Sequence, residues 1–61
     1  MIARYTRIGY AYRPTMGEKP VFSADVDIDG RAHRFEVLAD DVFETWQKIC
    51  GYLGIPFSMQ N

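Results

Sequence analysis

Cysteine is nearly absent from this sequence. The single cysteine, Cys50, cannot form an internal disulfide, and no group of cysteine and histidine residues has the spacing of a zinc site. We therefore predict no structural metal and no cofactor. Because a domain of about 60 residues buries only about 60% of the surface of its unfolded chain, its stability has to come from close packing or from self-association.

Long apolar runs are also missing. No segment reaches the length of a signal-peptide core or a membrane span, so we expect a single domain over residues 1–61, located in the cytoplasm and without a membrane partner. The net charge of −1 lacks the basic excess that phosphate binders usually have. Residues 1–20 carry a charge of +3 and residues 21–61 a charge of −4, so only the first segment could form a basic stripe.

What the sequence does contain is apolar and aromatic residues, at 48% and 15% of the chain, which predicts a folded protein. Residues 2–12 are rich in β-branched and aromatic residues and lack proline, which favours a strand. A loop with two prolines follows over residues 13–20. The even positions of the strand are more apolar than the odd ones, so we expect Tyr5, Arg7 and Arg13 to face away from the core.

A β-hairpin is the strongest local prediction. Asp29-Gly30 separates the alternating segments 21–28 and 31–38, and this dipeptide is preferred in two-residue type I′ turns. Ile28 should then pair with Arg31. This register puts the large apolar residues of the hairpin on one face of the sheet. It also places Asp25 and Arg34, which have opposite charges, side by side on the other face. The apolar face consists of Phe22, Ala24, Val26, Phe35 and Val37.

A C-terminal helix is predicted over residues 41–53. Its apolar residues recur at helical spacing, Asp41 and Glu44 have the spacing of a capping box, and Gly54 followed by Pro56 ends the helix. Covering the apolar face of the hairpin with this helix gives an α+β fold. We predict a three-stranded antiparallel meander packed on one helix, in the order βββα.

For function, we predict a non-catalytic protein-binding module, a small inhibitor or modulator of a larger protein or complex. His33 and Cys50 have no third group to orient them as a catalytic pair, so we predict no enzyme. Compact, charge-balanced domains of this size are common among phage and mobile-element proteins that block host defences, such as anti-CRISPR proteins. Tyrosine and arginine are enriched at interface hot spots. The predicted partner-binding residues are Tyr5, Arg7, Arg13, Asp25, Asp27, Arg34 and Glu36.

Other interpretations stay open at this stage. The sheet could bind nucleic acid through its arginines, although acids share the same face. A strand edge could form a homodimer. Residues 25–36 also match the calcium-loop pattern D-x-D-x-D-G-x₅-E, but Pro20 and the strand-favouring residues after it argue against an entering helix. The calcium ligands would be Asp25, Asp27, Asp29 and Glu36.

Overall fold

The computed structural model describes residues 1–59, and it has the predicted α+β architecture. The elements are β1 (Ala3–Tyr12), β2 (Val21–Ile28), β3 (Arg31–Leu38) and α1 (Val42–Leu53). The strands form one antiparallel sheet in the order β1-β2-β3. Helix α1 contacts all three strands. The predicted βββα order is therefore confirmed, with β2 in the centre of the sheet and β1 and β3 at its edges.

The β2–β3 hairpin has the predicted turn and register. Asp29 and Gly30 both have positive φ, 52° and 87°, as a type I′ turn requires, and Ile28 pairs with Arg31. Two hydrogen bonds tie the start of the chain to this turn. The Ile2 N–H donates to the Asp29 carboxylate at 2.7 Å, and the Asp29 N–H donates to the Ile2 carbonyl at 2.8 Å.

Helix α1 begins one residue later than predicted because Asp41 is its N-cap. The Asp41 carboxylate accepts the Glu44 N–H at 2.8 Å, which satisfies one of the free donors of the first turn. The Glu44 carboxylate reaches back to the N–H of Asp40, at 2.7 Å, rather than to that of Asp41. The helix ends at Gly54, whose φ of 75° is the left-handed conformation that glycine adopts at low cost.

The core lies between α1 and the sheet. Its central cluster comes from β2 and from one face of α1, and it consists of Ala24, Val26, Trp46, Ile49 and Cys50. The segment after the helix folds back over this packing. Ser58 accepts a hydrogen bond from the Trp46 indole at 2.7 Å through its carbonyl, and the ring of Phe57 contacts that of Phe43 with centroids 4.9 Å apart.

Strand β1 does not alternate regularly, and this corrects the predicted position of Tyr5. Tyr5 pairs with Val26 but Arg7 pairs with Asp25, so Thr6 is an extra residue in a β-bulge. A bulge shifts the alternation by one residue. Tyr5 therefore faces the helix, where it packs against the core, and the prediction that it faces away was wrong. Arg7 faces away from the helix as predicted.

Arg13 requires a second correction. It lies beyond the end of β1, in the loop that leads to β2, and its guanidinium donates a hydrogen bond to the backbone carbonyl of Glu18. A bond across five residues stabilises the turn of this loop. Arg13 thus belongs to the loop predicted over residues 13–20, and the expectation that it shares the sheet surface of Arg7 was wrong.

Candidate functional site

The face of the sheet that α1 leaves uncovered, here called the open face, holds five of the seven predicted partner-binding residues. Paired residues of an antiparallel sheet point to the same side, so the register defines rows that cross all three strands. The rows are Arg4, Asp27 and Ala32, then Arg7, Asp25 and Arg34, then Gly9, Ser23 and Glu36.

The central row places one carboxylate between two guanidinium groups. Arg34 contacts Asp25 through its Nε at 3.0 Å from Oδ1 and through its Nη2 at 3.5 Å from Oδ2. Arg7 pairs with Asp25 from the other strand, but it makes no ion pair within residues 1–59. The row has a charge of +1, and the Arg34 side chain is 65% exposed. One guanidinium is thus available for an acidic group.

A small depression lies beside this row. Its volume is about 220 Å³, and its lining includes Arg7, Gly9, Ser23, Asp25 and Arg34. A Cβ atom added at Gly9 would meet nothing within 4 Å, so the missing side chain leaves open space above the strand. Typical small-molecule sites are larger and more enclosed, with volumes of about 300–1,000 Å³. The depression fits one short polar side chain better than a whole ligand.

The open face also includes an apolar row, which the sequence interpretation missed. A second bulge, at Ala11, brings Tyr12 opposite Val21, and Leu38 pairs with Val21 from β3. Tyr12 is 51% and Leu38 47% exposed. The apolar alternation of residues 2–12 predicts that Tyr12 shares a face with Tyr10. Gly9, inside the strand, is the residue of this segment that could signal a bulge.

The charges of the open face balance. Three arginines and three acids occupy its rows, and the Asp27 carboxylate also accepts the Gly30 N–H at 2.8 Å. Protein surfaces that bind nucleic acid carry a clear positive excess because most of their affinity comes from phosphate contacts. The open face lacks that excess.

The predicted calcium ligands do not form an EF-hand loop. Residues 25–36 are a β-hairpin, and three of the carboxylates already accept hydrogen bonds, Asp25 from Arg34, Asp27 from Gly30 and Asp29 from Ile2. Within residues 1–59, no group of three or more side chains of His, Cys, Asp or Glu is placed to hold a metal ion. The geometry gives the calcium alternative no support.

His33 and Cys50 lie in different environments. Cys50 belongs to the core and is 1% exposed, and burial raises the pKa of its thiol. His33 is exposed on β3. A thiol with a raised pKa is a poor nucleophile because the thiolate is the reactive form.

Comparison with known proteins finds no matching protein family, no matching curated protein and no matching solved structure. In the described part of the chain, no helix has both the length and the apolar character needed to cross a membrane.

Proposed function

We propose that the protein is a non-catalytic binding module that docks on another protein through its open face. The observation that carries this proposal is the row formed by Arg7, Asp25 and Arg34 beside the Gly9 depression. Arginine presents a planar fork of donors that suits carboxylates, and Asp25 holds Arg34 in place. A fixed array of this kind favours one orientation of a partner over others.

The chemistry of the face indicates the kind of partner surface. The surplus positive charge at Arg7 fits an acidic side chain, and the depression at Gly9 has room for a short one. Tyr12 and Leu38 add exposed apolar area at one end, where an apolar residue of the partner would pack. Interfaces combine a few aromatic and arginine anchors with a polar rim in this way.

A protein partner is favoured over nucleic acid because the acids of the open face offset its arginines. Three further points stay predictions: inhibition or modulation of the partner, a cytoplasmic location, and an origin in a phage or mobile element. The proposed binding surface differs from the one expected from the sequence, since it includes Tyr12 and Gly9 in place of Tyr5 and Arg13.

An affinity pull-down from the native host tests the proposal with two charge reversals. Arg7→Glu changes the central row, whereas Arg31→Glu makes the same change at an exposed residue that pairs with Ile28 on the helix side of the sheet. We expect the wild type and Arg31→Glu to capture the same protein, and Arg7→Glu to bind it at least about tenfold more weakly, which corresponds to about 1.4 kcal/mol.

Thermal melts should first establish that both variants are folded. Equal capture of the partner by Arg7→Glu and the wild type would remove the open face as the binding surface. A mobility-shift titration separates the nucleic-acid alternative. Binding that is strong at low salt, falls steeply as salt rises and is lost in Arg7→Glu would replace the protein partner by a polyanion.

A further inference from the structure

The two edges of the sheet differ in their ability to accept another strand. Strand β1 is interrupted by bulges at Thr6 and Ala11, and bulges are among the features that keep an edge from pairing with another chain. Strand β3 runs without a register shift over Arg31–Leu38. Among the described residues, β3 is therefore the edge of the sheet that is both regular and unpaired.

Contacts at the two ends of β3 show which of its backbone N–H and C=O groups point toward β2 and which point outward. The type I′ turn closes on the pair of Ile28 and Arg31, and the Ala39 N–H donates to the Pro20 carbonyl at 3.1 Å. Odd-numbered residues thus bond toward β2, and in an antiparallel ladder the even-numbered ones point outward. Leu38 already uses its outward carbonyl, which accepts a hydrogen bond from the Lys48 ammonium at 2.5 Å. Within residues 1–59, the outward N–H and C=O groups of Ala32, Arg34 and Glu36 have no hydrogen-bond partner.

An apolar groove follows the same edge. It lies between β3 and α1 and has a volume of about 300 Å³. Its lining consists of Phe35, Val37, Ile49 and Tyr52 together with the charged residues Glu36 and Lys48. Tyr52 is 80% exposed although its ring lies 6.0 Å from that of Phe35. An exposed tyrosine on a half-buried phenylalanine, beside an unpaired strand edge, is a combination that protein partners cover.

We infer that the protein forms a symmetric homodimer in which β3 pairs antiparallel with β3 of a second copy, centred on Phe35. This register places Arg34 of each copy opposite Glu36 of the other, on the open-face side. Both residues have outward backbone groups, so each of these two pairs exchanges two hydrogen bonds. Opposite charges at paired positions stabilise a sheet.

Charge complementarity selects this register over its neighbours. Moving the centre by one residue keeps the outward groups in phase, but it places Arg34 opposite Arg34 or Glu36 opposite Glu36. Like charges directly opposite each other destabilise a sheet. The strand is thus self-complementary only when Phe35 lies on the two-fold axis, and this argues for a second copy as the occupant of the edge.

The helices leave room for this arrangement. Strands are about 4.8 Å apart, so the two copies of β2 would be separated by about 14 Å. Helices lying over them would be farther apart than the 8–10 Å of directly packed helices. The two grooves would face each other across the axis, where Phe35 and Tyr52 of both copies fill the gap. The dimer does not depend on the proposed function of the open face.

A charge-exchange experiment tests the dimer. Arg34→Glu puts two acidic side chains opposite each other in both pairs across the interface, and Glu36→Arg puts two basic side chains there. Each variant alone should therefore dimerise at least about tenfold more weakly than the wild type. When the two variants are mixed, every pair across the interface again has opposite signs. We expect a heterodimer at wild-type affinity, detected by sedimentation and native mass spectrometry. Because the dimer is held by a single pair of strands and one aromatic cluster, we expect a weak dissociation constant of roughly 10 µM to 1 mM.

Matched controls reverse charges elsewhere. Arg4→Glu on β1 and Glu18→Arg in the loop make the same changes in charge and should leave dimerisation as in the wild type. A second measurement needs no variant, because in the wild type the amides of Arg34 and Glu36 should become protected from hydrogen exchange as concentration rises. A wild type that stays monomeric at about 1 mM, or folded variants that do not form a heterodimer when mixed, would overturn the proposal.

Discussion

The ring of Tyr5 meets the indole of Trp46 edge to face, with centroids 5.0 Å apart and an interplanar angle of 69°. This geometry is favourable for aromatic pairs because the positive edge of one ring meets the negative face of the other. Trp46 is 2% exposed, so Tyr5 helps to close the core over the β1 edge of the sheet. The bulge at Thr6 makes this contact possible.

Replacing Tyr5 by alanine should therefore lower stability. We expect Tyr5→Ala to reduce the free energy of unfolding by about 2–3 kcal/mol, from lost apolar burial and the lost ring pair. Denaturant unfolding followed by Trp46 fluorescence measures this. Tyr12→Ala is the matched control, since Tyr12 is half-exposed on the open face, and it should change stability by less than about 1 kcal/mol. Equal losses in the two variants would contradict the bulge-shifted alternation.

Two glycine-to-alanine substitutions should show how much stability depends on backbone strain when a new side chain has enough space. Neither Gly9 nor Gly30 would bring a new Cβ within 4 Å of another atom, but Gly30 has a φ of 87°. Gly30→Ala should therefore lose about 1 kcal/mol or more because an L side chain strains this conformation. Gly9 lies in a strand, where glycine is unfavourable, so Gly9→Ala should keep or slightly raise the stability. Thermal or denaturant unfolding of both variants checks the difference, and an unaffected Gly30→Ala would argue against the type I′ turn.

Glu44 should make stability depend on acid pH. The hydrogen bond from Lys19 and that from the Asp40 N–H lower the pKa of Glu44 from 4.5 to about 2. A carboxyl with a lowered pKa in the folded state contributes stability above its unfolded pKa and loses it as the pH falls toward the folded one. We expect the Tm of the wild type to fall between pH 4.5 and about 2.

The Glu44→Gln variant isolates this contribution. It should melt at a lower temperature than the wild type at pH 7, and the difference should shrink through the same acid range until it vanishes near the folded pKa. Glu18→Gln removes one charge from a loop carboxyl that makes no ion pair within residues 1–59, so it serves as the control. A wild type and a Glu44→Gln variant with parallel pH profiles would refute the lowered pKa.

The hairpin and the helix could be predicted because local chemistry determines them. Asp29-Gly30 fixes the turn, and the apolar spacing of residues 42–53 with Asp41 at its start fixes the helix. The bulges of β1 depend instead on how Tyr5 and Ile8 pack against Trp46 and β2, and these contacts are distant in sequence. Strict alternation consequently predicts the wrong faces for Tyr5 and Tyr12, whereas it predicts the correct face for Arg7 and for the hairpin residues of the open face.

The unequal loops of the sheet have a consequence for the order of folding. Strands β2 and β3 are joined by two residues, whereas β1 is joined to β2 by an eight-residue loop over residues 13–20. Short loops close fastest, so we expect the hairpin and α1 to assemble first and β1 to join last. Every row of the open face includes a β1 residue. The surface that would recognise a partner is therefore complete only at the final step of folding, and a partner bound there would hold β1 in place by mass action.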